Sequence, residues 1–155
     1  MSARGKARKR AVDVLYQADL RGEGALDILS AQERMRADDG QTPLNPYSVV
    51  IIRGVVAHAP EIDGLLSRHA QGWSLERMPT VDRAILRMAC FELLTSTGEV
   101  PPAVIIAEAV RLAAELSTDE SAGFVNGVLG AISRDLASTA GTDMDVVAVG
   151  PEDQA

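Results

Sequence analysis

In the second half of this 155-residue chain the apolar residues return every three or four positions, and that spacing limits the fold more than any other feature. Between Val81 and Ser96 the stripe is Val81, Ile85, Met88, Ala89 and Leu93. Ile105, Ile106, Ala109, Val110, Ala113 and Leu116 make a second, and Val125, Val128, Leu129, Ile132 and Leu136 a third. Residues at such steps share one face of an α-helix, so each segment is a helix with an apolar side to bury. The breaks agree: Gly98 lies just past the first helix, Pro101 and Pro102 open the second, and Ser117 with Glu120 has capping-box spacing before the third.

The first half reads the same way. Ala7, Ala11, Val14, Leu15 and Ala18 predict a helix from Ala7 to Leu20, interrupted by Gly22 and Gly24. A second amphipathic segment covers about 25–37, and residues 38–46 are a loop with Gly40, Pro43 and Pro46. The run Val49, Val50, Ile51, Ile52, Val55, Val56 has strand propensity. It is nevertheless expected to be helical, because a lone strand would leave its backbone groups unpaired. Whether its apolar face is core or interface is open at this level. Pro60 opens a helix over about 60–70 that Gly72 ends. About seven helices with short turns make an all-α fold of two small bundles, about 7–72 and 79–137, forming one domain. Residues 1–6 are expected to be a flexible basic arm. Residues 138–155, with four acids and no base, are expected to be a disordered acidic tail.

An apolar fraction of 46% and a charged fraction of 24% are those of a soluble globular protein. No stretch approaches the roughly 18 apolar residues of a membrane span, and no apolar run follows the basic N-terminus as in a secretory signal. The expectation is a cytoplasmic protein without a membrane role. One cysteine, Cys90, makes no internal disulfide, and His58 and His69 are too few for a zinc site. No metal or cofactor is expected.

The charge is uneven. The chain has 22 acids and 15 bases, a net charge of −7, which taken whole argues against a nucleic-acid ligand. Yet Arg4, Lys6, Arg8, Lys9 and Arg10 stand in the first ten residues with no acid among them, and the rest of the chain sets 10 bases against all 22 acids. A basic segment on an acidic body is the asymmetry of a phosphate-binding arm. A solvated terminus is the alternative.

Catalytic patterns are not found. Gly123, Gly127 and Gly130 lack the lysine of a phosphate loop, and Cys90, flanked by Ala89 and Phe91, reads as a packed thiol. Asp119 and Glu120 are adjacent and so point about 100° apart on a helix, which suits an N-terminus and not an acid/base pair. The chain is not expected to be an enzyme. Tyr16 lies eight residues from Arg8, on the same helix face, where it could stack a base beside phosphate contacts. Phe124 opens the last helix, and burial and stacking remain open for it.

Several strings together carry a resemblance. They are Ala7-Arg8-Lys9-Arg10-Ala11-Val12 with Leu15-Tyr16-Gln17, Val81-Asp82-Arg83-Ala84-Ile85-Leu86-Arg87 with Phe91-Glu92-Leu93-Leu94, then Val100-Pro101, Glu108-Ala109-Val110, and Phe124-Val125-Asn126-Gly127-Val128-Leu129. In order from about residue 4 to residue 136, the chain resembles the NusB family of bacterial transcription antitermination factors. That resemblance implies two three-helix bundles, binding of the boxA element of nascent ribosomal RNA as a single strand, pairing with the ribosomal protein NusE within an RNA polymerase antitermination complex, and no enzymatic activity. Some relatives form homodimers. It also implies roles: RNA binding by Arg4, Lys6, Arg8, Lys9, Arg10, Tyr16, Glu120 and Phe124, and partner binding by Asp82. Ala107, Ala114 and Gly123 stand where the family usually has polar or basic residues, which implies weaker RNA binding or greater reliance on the arm and a partner. Two other readings compete. One is a NusB-like accessory domain of an RNA methyltransferase, which would need a downstream cofactor-binding domain. The other is a helical protein–protein adaptor with no RNA role.

Overall fold

The computed structural model describes residues 2–96 and 98–153, with side chains through residue 139. Its seven α-helices are α1 (Ala3–Arg21), α2 (Ala25–Asp38), α3 (Pro46–Ala57), α4 (Ala59–His69), α5 (Thr80–Thr95), α6 (Pro102–Leu116) and α7 (Asp119–Asp153), with one 3₁₀ turn at Leu75–Arg77 before α5. No strand occurs among the described residues. The β-branched run is helix α3: Pro46 occupies its first turn, and Asn45 caps it by accepting from the Tyr47 N–H at 2.9 Å. Ile51, Ile52 and Val55 of that run are buried, while Val50 and Val56 face solvent.

Helices α1, α2 and α3 pack on one another, and so do α5, α6 and α7. Helix α5 joins the two groups, touching α1, α3, α4, α6 and α7. Its sequence explains this centrality, since Ala84, Ile85, Leu86, Met88, Ala89 and Cys90 are all inaccessible and cover most of its circumference. One continuous apolar core runs from α1 to α7. Helix α4, grouped with the first bundle by chain order, also packs against α5 and α7.

Three expectations change. The N-terminus is not a loose arm up to residue 6: α1 starts at Ala3, where Ser2 Oγ caps it by accepting from the Gly5 N–H at 3.0 Å. Gly5 and Ala7 are buried, and Ser48 of α3 donates to the Ala7 carbonyl at 2.8 Å. The cap of α7 is one residue later than the Ser117 spacing suggests, because Thr118 Oγ1 accepts from the Ser121 N–H at 3.0 Å. Lastly, α7 runs to Asp153 where a disordered tail is expected from residue 138. Alanine recurs at 137, 140 and 148, and no proline breaks the backbone ladder before Pro151. Residues 154 and 155 lie outside the described residues.

Candidate nucleic-acid interface

The five N-terminal cations do not act as a group, because a helix starting at Ala3 sends them in different directions. Arg8 points inward. Its side chain is 4% exposed, and its Nε donates to both oxygens of Glu92 on α5 at 2.9 and 3.1 Å. Tyr47 of α3 donates its hydroxyl to the same carboxylate. Burial works against the Arg8 charge, but Glu92 outweighs it and holds the guanidinium above its ordinary range. Arg8 is therefore a structural clamp between α1, α3 and α5, and it is not available to phosphate. Arg4 is exposed and sits over the Tyr47 ring, 5.0 Å from its centre.

Lys6, Lys9 and Arg10 lie on the open side of α1. With Val12, Asp13 and Tyr16 of the same helix, Val81 of α5 and Leu116 of α6, they line a groove of about 790 Å³. Lys6 and Arg10 are exposed and form no ion pair among the described residues. Lys9 donates to Glu115 of α6 at 2.6 Å across the groove. Tyr16 is half-buried, with its inner part against the core and the rest in the groove. The structure thus brings Lys6, Lys9, Arg10 and Tyr16 together and takes Arg8 away from them. The helical spacing of Arg8 and Tyr16 does not reveal which side of α1 meets α5.

Phe124 is half-buried in the first turns of α7 and stands edge-on to Trp73, with ring centres 6.4 Å apart at 61°. Trp73, in the loop after α4, is 50% exposed. Trp73 is not recognisable as a site residue from the sequence, because no helical periodicity touches it. Its one signal is that a tryptophan occurs in a turn next to Gly72. Glu120 is exposed in the first turn of α7, beside the helix N-terminus that favours its charge.

Asp82 is not the surface acid the sequence suggests. It is 2% exposed in the first turn of α5, and its Oδ1 has no hydrogen-bond partner among the described residues. Its neighbour Val81 is the residue that reaches the groove. The α5 arginines next to it are occupied: Arg83 bonds Asp19 and the Leu75 carbonyl, and Arg87 holds Asp63 through two bonds and Asp19 through a third.

Elsewhere the polar groups serve structure. Burial raises the Cys90 thiol to about 12, so it carries no thiolate at neutral pH. His69 meets Asp135 of α7 at 2.9 Å, and no group of three or more metal-ligating side chains occurs among the described residues. No helix among the described residues is long and apolar enough to cross a membrane.

The model of the NusB family matches residues 5–134. The chain belongs to the NusB family. It is 57% identical over 86% of its length to the transcription antitermination protein NusB of Saccharopolyspora erythraea, covering 88% of that protein. To the NusB of Acidothermus cellulolyticus it is 58% identical over 85% of its length, again covering 88% of the relative. A crystal structure of antitermination factors NusB and NusE in complex with double-stranded RNA has the same fold. Its TM-score is 0.72 at 28% identity, covering 87% of this chain and 98% of that one. The NusB relatives are thus named for a regulatory role in transcription and not for a catalysed reaction.

Proposed function

We propose that this NusB family member is a transcription antitermination factor of the cytoplasm that binds the boxA element of nascent ribosomal RNA as a single strand, together with NusE, and so works within an RNA polymerase antitermination complex. The observation that carries the RNA part is the groove: three cations and a tyrosine on one open face of α1, on a chain whose residues beyond the first ten set 10 bases against 22 acids. Lys6 and Arg10 neutralise phosphates, and Tyr16, Phe124 and Trp73 offer faces on which unpaired bases stack. The relatives' name supports the antitermination role, and the solved complex of NusB and NusE with double-stranded RNA supports RNA and NusE as binding partners.

The acidic body supplies the attraction for a basic ribosomal protein. Asp82 enters this docking in a different way from a rim charge. Buried in the first turn of α5, it shapes the helix end that NusE meets and makes no contact of its own. The experiment that tests the whole reading is titration of labelled boxA RNA with the protein, alone and with NusE, across several salt concentrations. Binding that tightens with NusE and weakens with salt is expected. Absence of RNA binding in both arms would overturn it and leave the helical adaptor.

Electrostatics and stacking separate in the same assay. For single strands log affinity falls by about 0.7 per phosphate neutralised for each decade of salt, so Lys6→Ala with Arg10→Ala should flatten the slope by roughly 1.4. Trp73→Ala and Phe124→Ala should leave the slope alone and lower affinity by about 1–3 kcal/mol at every salt concentration, because stacking releases no counterions. Melting curves of each variant check that the loss is not unfolding, which matters most for the half-buried Phe124. A Trp73→Ala variant that binds like the parent removes that ring from the surface.

A further inference from the structure

Of the three cations lining the groove, Lys9 alone is already engaged by an acid. Its Nζ lies 2.6 Å from Glu115 Oε1, and the two side chains are 43% and 39% exposed. An exposed pair of this kind is worth little in net terms, so it forms readily and is readily exchanged. Glu115 has a second cation within reach on its own helix: Arg111 Nη1 is 3.7 Å from Glu115 Oε2, while Arg111 Nη2 holds Glu108 at 2.5 Å.

We propose that Glu115 sets the RNA affinity of the α1 surface by occupying Lys9, and that RNA binding is a hand-over in which a backbone phosphate replaces Glu115 on Lys9 while Glu115 turns to Arg111. The inference rests on the RNA-binding reading above. No bond to a buried group is broken in the exchange, and no charge is left alone. Phosphate takes Lys9, and Arg111 takes the released carboxylate. The Lys9 hydrogen bond, foremost, holds the Glu115 carboxyl below the usual carboxylate range, so the acid is charged at neutral pH and the guarded state is the resting one. A weakly binding RNA leaves Lys9 with Glu115, and a strand that places a phosphate over the α6 end of the groove recruits it. Glu115 thereby subtracts from non-specific binding, which depends on the number of available cations.

The test is a double-mutant cycle on the full chain, with a short labelled single-stranded boxA RNA as probe and fluorescence anisotropy across a salt series. Glu115→Gln should tighten binding by roughly 1.5- to 5-fold near 0.1 M salt and steepen the salt slope by about 0.7, the share of one more phosphate. Placed on Lys9→Ala, the same Glu115→Gln change should have no effect, since there is no lysine to release. If it tightens binding equally with and without Lys9, it acts only by removing negative charge near a polyanion, and the hand-over is overturned. Unchanged affinity when Glu115→Gln is made in the protein that keeps Lys9 overturns it as well. A parent protein that binds no RNA at any salt fails the RNA reading itself, a result distinct from either.

Discussion

Arg8→Ala is expected to cost the fold about 3–5 kcal/mol, because it leaves the Glu92 carboxylate buried without its cation. The loss would appear as a lower melting temperature and an earlier urea midpoint, with RNA binding by the remaining folded protein little changed. Replacing both partners by apolar residues, Arg8→Met with Glu92→Leu, should recover most of that loss, since the penalty comes from the uncompensated charge and not from the absent pair. Deleting residues 1–10 should destabilise in the same way and further, as it also removes buried Ala7 and the carbonyl that Ser48 bonds. A truncated protein melting like the parent would show that the clamp contributes nothing.

The second large effect lies where α3 meets α5. A Cβ built on Gly54 would stand 2.1 Å from Cε1 and 2.2 Å from Cζ of Phe91, well inside any real contact. Phe91 is itself buried and has the His58 ring beside it, 6.0 Å between centres, so it has limited room to withdraw. Gly54→Ala gains about 1 kcal/mol in helix propensity and loses about 1–3 kcal/mol to overpacking, so a net loss is expected. Gly54→Leu, with no place for three further carbons, should lose about 3 kcal/mol or more. Trimming the ring as well, Phe91→Leu on Gly54→Ala, should cost less than the two single changes added together. Additive losses in calorimetry would mean that the two residues do not meet.

The helices were legible because periodicity reports burial directly, and even the β-branched stretch of α3 could be assigned by asking where its backbone bonds would otherwise go. Arg8 and Asp82 show where that legibility ends. Both are charged, both stand in strings that look exposed, and both are buried. Their partners, or lack of them, depend on contacts between distant parts of the chain: Glu92 lies 84 residues from Arg8. Of the candidate site, the cations at 6, 9 and 10 and Tyr16 could be read from one helix alone. Trp73 could not, since it acquires meaning only from Phe124, brought to it from another helix. The guard on Lys9 was equally hidden, because Glu115 follows 106 residues later.

The early start of α1 has a kinetic consequence. A floppy basic tail would have to order itself during or after each encounter with RNA, at a cost in affinity and with a folding step in the rate. Here the cap at Ser2 and the clamp at Arg8 have wound the segment before any ligand arrives. Lys6 and Arg10 are one turn apart on a stiff rod, so their separation is fixed by the helix. Association should therefore follow single-exponential kinetics with a rate proportional to RNA concentration, steered by charge and slowed by salt, without a plateau from chain ordering.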